Sequence, residues 1–437
     1  MRVMILFSLC LLAFAFVPAH AQQANVTCDA AANSACAEVR RILDRTEVQR
    51  AMRFIEEDDA RTIADLIHLT EIPAPPFGEE ARAREFARML GEAGADSVWT
   101  DSVGNVLALR RGTARNRTVA LAGHLDTVFP EGTDVTVRQR GDTLYAPGIA
   151  DDTRGLTVLL AVLRSLETGN IQTDADLLLI GTVGEEGLGD LRGVKHLFRE
   201  GGPRIDAFIA VDGGSDSRIV NQALGSRRYR VTFEGPGGHS WGAFGTANPV
   251  HALGRAINLF DEAADVFTET GEPTSYNVGR IGGGTSVNAV AFEAWLEVDM
   301  RSESPTRLLA IDSIFRASVD QALQEQNALL RRGEELTVNV ELVGDRPSGE
   351  TDTTLPFVQR AIAVTQTLGV QPALARSSTD SNIPISLGVP AVTIGRGGTE
   401  GETHSPGEWW INRNGTRGIH RALLLLLAEA GMSRPAS

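Results

Sequence analysis

Leu178-Leu-Ile-Gly-Thr-Val-Gly184-Glu185-Glu186-Gly-Leu-Gly-Asp190 is a short apolar run that stops at two acids among glycines. An apolar run of this length bounded by glycine predicts a buried strand, which puts Glu185 and Glu186 at its C-terminal end, where open α/β sheets place their ligands. Neighbouring side chains on extended backbone point in different directions, so one carboxylate is free to ligate a metal while the other carries a proton. Alone, Glu-Glu in a glycine-rich loop is ordinary solvated surface. Its surroundings point elsewhere.

Upstream, Thr118–Gly123 predicts a strand leading into His124-Leu-Asp126, two polar residues that face the same way if the backbone stays extended. Gly148-Ile-Ala-Asp151-Asp152 precedes a helix predicted over 153–168, with Asp152 as its N-cap. A strand over 207–211 ends at Asp212-Gly-Gly. With strands at 97–101 and 105–110 and helices at 79–93 and 190–200, the alternation predicts a mixed, mostly parallel sheet with helices on both faces. Apolar spacing over 37–68 predicts one or two amphipathic helices before the Pro-rich loop at 72–78.

The pattern changes after 225. A strand at 228–233, a helix at 248–264, strands at 275–281 and 290–300, a helix at 305–330 and a strand at 335–343 give the order βαββαβ, a split βαβ unit that forms a domain by itself. A helix at 354–367, a strand at 390–395 and an apolar helix at 417–430 return the chain to the first domain. The expected division is a catalytic α/β domain in two parts, 22–225 and 346–437, with a lid or dimerisation domain inserted at 226–345.

At 437 residues, with 42% apolar and 22% charged content, the chain has the composition of a globular protein large enough for two cores. A formal charge of −15 argues against nucleic acid and anionic membrane surfaces as partners. Arg2, the apolar run Val3–Val17 and Ala19-His20-Ala21 make the pattern of a secretory signal peptide over 1–21, cleaved after Ala21. The run is too short to insert as a membrane span, so the expected location is secreted or periplasmic. Cleavage removes Cys10 and leaves Cys28 and Cys36, for which a local disulfide is expected; a metal site is the alternative, but no further Cys or His lies nearby.

The polar clusters of the first domain fall at the ends of predicted strands: His124 and Asp126, Asp151, Glu185 and Glu186, Asp212 and, much later, His404. In a parallel sheet these ends converge on one edge. Two imidazoles and three carboxylates suit zinc with an open position, and manganese or cobalt accept the same N/O set. Singly, each residue is accounted for as a core histidine, a turn or a loop; together they require many coincidences. No Gly-rich phosphate loop precedes a helix, which counts against a nucleotide-binding module.

In order and spacing, Gly123-His124-Leu-Asp126-Thr-Val, Gly148-Ile-Ala-Asp151-Asp152, Gly184-Glu185-Glu186-Gly, Val211-Asp212-Gly-Gly, Gly238-His239-Ser and His404 resemble the M20 family of co-catalytic dizinc metallopeptidases, which includes tripeptidase T, glutamate carboxypeptidase, aminoacylase and succinyl-diaminopimelate desuccinylase. The likeness spans about residues 60–430 and implies a zinc-exopeptidase-like fold with a ferredoxin-like lid. It implies that His124 and Asp212 hold one of two zinc ions and Glu186 and His404 the other, with Asp151 bridging. It further implies that Asp126 orients the ring of His124 and that Glu185, as general base, activates a metal-bridging water. His239 would stabilise the oxyanion from its own or a partner subunit of a homodimer. Asn288, in Gly282-Gly-Gly-Thr-Ser-Val-Asn288, and Arg301, in Asp299-Met-Arg301, resemble motifs that touch substrate, where the planar fork of arginine suits a carboxylate; the backbone N–H groups of Gly395-Arg396-Gly397-Gly398 are further candidates to receive that carboxylate. Asp-Gly-Gly at 212–214 and Thr153-Arg154 after the acids, where many relatives have lysine, depart from parts of the family. Substrate, not chemistry, is thereby left open. Short peptides are expected first, with N-acyl amino acid deacylation or carboxypeptidase action as alternatives; a non-catalytic binding protein on the same fold is the alternative of another class, against which the intact set of acids argues.

Overall fold

The computed structural model describes residues 28–30 and 33–433, so the expected signal peptide at 1–21 lies outside the described residues. The predicted apolar strand is found as Asp176–Thr182, hydrogen-bonded parallel to Thr118–His124. That strand runs parallel to Ala207–Val211, which in turn runs parallel to Ala391–Ile394. These four form the centre of a nine-stranded sheet. One flank adds Val106–Arg110 and Ser97–Thr100 antiparallel; the other adds Arg218–Ala223, Gly349–Glu350 and Ala373–Ser377.

Because side chains alternate along a strand, one continuous apolar run supplies two cores. Leu177 and Leu179 join Val119 and Leu121 on one face, and Leu178 and Ile180 join Ala120 and Ala122 on the other. The first face is covered by helices Thr46–Glu57, Thr153–Gly169, Pro356–Thr367 and Gly415–Ala430. Helix Thr153–Gly169 is buried over all but Glu167 and Thr168 near its end, as befits a helix between a sheet and other helices. The other face is covered by shorter helices, Arg192–Leu197 and Asn382–Ser386.

Residues 225–346 build a separate four-stranded antiparallel sheet in the order Thr274–Gly283, Glu293–Ser302, Gly225–Glu234, Thr337–Arg346. Two long helices, Pro249–Thr268 and Pro305–Ala328, pack on one face of it around Tyr229, Phe260 and Phe315. Burial alternates strictly along Glu293–Ser302, so this sheet is covered on one side only. Among the described residues no helix is long and apolar enough to cross a membrane.

Some elements differ from expectation. The periodic stretch at 37–68 is three helices, Ser34–Leu43, Thr46–Glu57 and Asp59–Thr70, because short breaks at Asp44–Arg45 and Asp58 leave the apolar spacing almost in phase. The helix expected at 190–200 shrinks to Arg192–Leu197, since Asp190 and Leu191 adopt left-handed backbone angles of 52° and 58°. Strand Arg218–Ala223 escaped notice because Asn221 and Gln222 interrupt its apolar pattern. A small sheet of Arg138–Arg140, Thr143–Tyr145, Thr399–Gly401 and Trp409–Ile411 is built from segments too short to show a period.

Cys28 and Cys36 are disulfide-bonded across a separation of eight residues and are buried in the main core. The bridge ties the first described residues to helix Ser34–Leu43. Its loss through reductant or Cys36→Ser is expected to lower the unfolding free energy by about 2–3 kcal/mol, the closure entropy of a short loop. Guanidinium melts read this directly, and identical midpoints with and without reductant would deny the bridge a stabilising role.

Candidate metal centre and its cleft

Each of the four central parallel strands delivers a polar side chain to the same edge. His124 ends the first, Glu185 and Glu186 follow the second, Asp212 follows the third and Arg396 follows the fourth. His124 is almost fully buried, and its Nδ1 lies 2.9 Å from the backbone carbonyl of Asp126. A carbonyl only accepts, so the neutral ring carries its proton on Nδ1 and presents a lone pair at Nε2. The Asp126 carboxylate does something else: it accepts from the backbone N–H of Glu185 at 3.1 Å and of Glu186 at 2.8 Å. Its Oδ1 also lies 3.8 Å from His124 Nδ1, close enough for an ion pair but beyond hydrogen-bond reach, so the carboxylate faces the ring as expected while the backbone carbonyl makes the hydrogen bond to it. The side chain in addition fixes the turn carrying both glutamates.

Asp151 stands between two histidines. Its Oδ1 lies 3.1 Å from His124 Nε2 and its Oδ2 lies 3.2 Å from His404 Nε2. Glu186 Oε1 lies 2.9 Å from the same His404 nitrogen. His124, Asp151 and Asp212 form one group of donors, and Asp151, Glu186 and His404 a second that shares Asp151; His124, Glu185 and Glu186 make a third that overlaps both. The spacings approach the roughly 3.3 Å that separates donors around a tetrahedral ion bound at about 2.05 Å. Buried carboxylates also outnumber buried cations here: among the described residues, Asp126, Asp152, Glu185, Glu186 and Glu408, with the part-buried Asp151 and Asp212, are met by the guanidiniums of Arg82, Arg346 and Arg396. Unpaired buried charge is costly, so the donor set fits divalent cations.

The electrostatics follow from this crowding. Burial pushes the Glu185 carboxyl well above its ordinary value, against the pull of Arg346. Burial works the same way on Asp151, but Arg396, His124 and His404 outweigh it and hold that group well below the usual carboxylate range. The carboxylates of Asp151 and Glu186 push His404 up to about 10.

Several supporting residues carry no motif of their own. Glu408 accepts from the backbone N–H of Gly148, Ala150 and Asp151, each at 2.9 Å, and so holds the loop presenting Asp151. It follows His404 by four residues, a spacing that could have drawn attention to it. Asp152 is the N-cap of helix Thr153–Gly169, as expected, and also accepts from the His124 backbone N–H at 3.0 Å. A Cβ on Gly155 would fall 2.3 Å from the Asp152 carboxylate, so glycine there is a requirement of the cap. Arg346, at the end of the last strand of the second sheet, donates to Glu185 Oε1 at 3.2 Å and to the Glu185 carbonyl.

Above the carboxylates lies a cleft of about 520 Å³, with Arg218, Arg228, Arg301 and Arg346 on its walls. Arg228 and Arg301 share one acid, Asp299, at 3.0 and 2.7 Å. Arg301 therefore lines the cleft, where a substrate-binding residue was expected, and so does Arg396, whereas other candidates do not. His239 and Asn288 are exposed on the second sheet unit and do not line this cleft. Gly397 is packed under the start of the last helix, its carbonyl accepting from Trp410 Nε1 at 3.0 Å. Arg396 does line the cleft, with its guanidinium engaged by Asp151, Asp152 and Asp212 and its backbone N–H by the Gly213 carbonyl.

Comparison with known proteins agrees with this architecture. Residues 120–426 match the family described as Peptidase family M20/M25/M40. The chain is 24% identical to the uncharacterized protein YqjE of Bacillus subtilis over 358 residues, 78% of this chain and 91% of that one. It is 27% identical to succinyl-diaminopimelate desuccinylase of Methylibium petroleiphilum over 296 residues, 64% and 70% of the two chains. Among solved structures, aminopeptidase PepT of Bacillus cereus superposes with a TM-score of 0.67 at 21% identity, covering 85% of this chain and 99% of that one. The dipeptidase Dug1p of Saccharomyces cerevisiae gives 0.69 at 15% identity, covering 88% and 99%. With the family matched over most of its length and the fold shared with these structures, the chain belongs to peptidase family M20/M25/M40 and is a metal-dependent hydrolase.

Proposed function

We propose that this chain is an exported dizinc hydrolase that cleaves amide bonds in short peptides, with Glu185 as general base. The observation that carries the reading is the shared carboxylate: Asp151 turns one oxygen to each histidine, at 3.1 and 3.2 Å, which is the arrangement two adjacent ions require. His124 and Asp212 would hold one ion, Glu186 and His404 the other, with Asp151 between them. Ions bound there supply Lewis acidity, lowering the pKa of a water and polarising the scissile carbonyl.

The chain's own groups do the rest. Glu185 takes a proton from the attacking water onto its carboxylate and passes it to the leaving nitrogen. Arg346 grips both the carboxylate and the carbonyl of Glu185, and Asp126 holds its backbone N–H, so the base is fixed from two sides. Arg301, sharing Asp299 with Arg228, is placed to receive a substrate carboxylate in its planar fork. Deacylation of N-acyl amino acids is the second reading, favoured by the desuccinylases among the relatives.

His239 takes part only from a second copy of the chain in this reading, since it lies outside its own cleft. Exposed Trp241, Phe244 and Val287 near it offer apolar area for a homodimer through the second sheet unit, where His239 would donate to the developing oxyanion. Export is supported by the leader-like first 21 residues and by the Cys28–Cys36 bridge, which persists in oxidising compartments.

Turnover on dipeptides, tripeptides and N-acetyl amino acids should vanish with chelator and return with zinc, and the preferred member separates the two substrate readings. Glu185→Gln should lower kcat by about 10³-fold with metal content unchanged; retained turnover would remove the base assignment. Arg301→Ala should raise KM for a free C-terminal carboxylate by about tenfold or more and leave the amidated peptide unchanged. Equal effects on both peptides would take the carboxylate away from Arg301. Asp126→Asn should lower activity by about 10–100-fold by loosening the glutamate turn, and wild-type kinetics would show that turn to be held without it.

A further inference from the structure

Arg396 is the feature that neither the motifs nor the proposed chemistry accounts for. It follows strand Ala391–Ile394 directly and is 1% exposed. Its backbone is locked: Arg396 N donates to the Gly213 carbonyl at 2.9 Å, and a Cβ on Gly395 would fall 2.3 Å from the Ser215 carbonyl oxygen. Its guanidinium is locked as well, because Glu400 accepts from Nε at 2.8 Å and from Nη2 at 2.9 Å. That fork aims Nη1 into the acids, 3.0 Å from Asp151 Oδ1, 2.9 Å from Asp152 Oδ1 and 3.1 Å from Asp212 Oδ1.

These contacts fall on one half of the centre. Asp151 Oδ1 and Asp212 belong to the group completed by His124, whereas Asp151 Oδ2, Glu186 and His404 have no guanidinium contact among the described residues. An ion entering the His124 half needs lone pairs that Nη1 already engages, and it must sit close to a fixed positive charge that cannot be deprotonated. An ion entering the His404 half uses Asp151 Oδ2, Glu186 and His404, which no guanidinium engages among the described residues, and meets Arg396 only through the shared Asp151 carboxylate.

We propose that Arg396 is a resident cation of the carboxylate cluster that competes with a metal ion for Asp151 and Asp212, so that the Asp151–Glu186–His404 half fills first and the His124 half only weakly. This rests on the two-ion reading above but is tested by uptake alone. Zinc titration of the chelator-stripped full chain against a competing indicator should show two steps, the first tighter by about tenfold or more. Arg396→Gln should tighten the second step by a similar factor and leave the first nearly unchanged, while His404→Ala should remove the tighter step and keep the weaker.

Two equal steps in the wild type, a second step unmoved by Arg396→Gln, or loss of the weaker step in His404→Ala would each overturn the competition while leaving a two-ion hydrolase intact. Uptake of no ion would instead overturn the two-ion reading itself, and the competition with it. Should Arg396→Gln fail to fold, Arg396→Met, of similar length and without charge, takes its place with the same expected tightening of the second step.

Discussion

More negative charge is gathered at one sheet edge than the folded chain can neutralise, and most of the local architecture serves to hold it there. Four parallel strands end side by side, which is the only way side chains from positions 124, 185, 186, 212 and 396 reach one another. Like charges at this range repel, so each acid needs a fixed donor. Asp126 is held by the N–H groups of Glu185 and Glu186, Asp152 by those of His124 and Gly155, and Glu408 by three N–H groups of the Asp151 loop. Backbone amides carry no net charge, so they orient the acids without relieving the surplus. That surplus is the standing demand for cations that the donor spacings match.

The second sheet unit is tied to the same edge through polar contacts. Arg346 reaches Glu185, Arg228 donates to the Gly187 carbonyl at 3.0 Å, and the backbone N–H of Asp345 donates to Asp190 at 2.9 Å. All three land between residues 185 and 190, the turn that follows the central strand. The second unit also meets the main sheet beside strand Ala373–Ser377, where Arg346 donates to Ser378 and Arg376 pairs with Glu303, so the turn bearing the candidate base is one of two places where the units are tied. The apolar cores of the two units remain separate, which leaves this polar seam as a natural place for adjustment.

The sequence made the long elements legible because their signal is periodic. The run at 176–182 reads as a strand from its own composition, and helix Pro305–Ala328 falls within the helix expected at 305–330. It made the donor set legible because histidines and acids gathered at the ends of buried strands are costly there unless something binds them. What stayed hidden was the support: the hold of Asp126 on the backbone of Glu185 and Glu186, the contacts of Arg346 and Glu408, which had no motif, and the engagement of the Arg396 guanidinium by the acids. Each of those depends on a contact across more than fifty positions, set by tertiary packing that no local pattern encodes. The short strands of the small sheet were hidden for a related reason, since three residues cannot display a period.

The cleft brings opposite charges face to face, acids on the floor and Arg218, Arg228 and Arg301 on the walls. An anionic substrate is drawn by the walls and repelled by the floor as long as the floor is short of cations. In the two-ion reading, ions and substrate must therefore favour one another's binding, and by linkage the coupling is the same in both directions. Arg396 moderates that coupling from within. A cation that never leaves keeps Asp151, Asp152 and Asp212 from flying apart when ions are scarce, and for the same reason it sets a ceiling on how tightly the nearer ion is held.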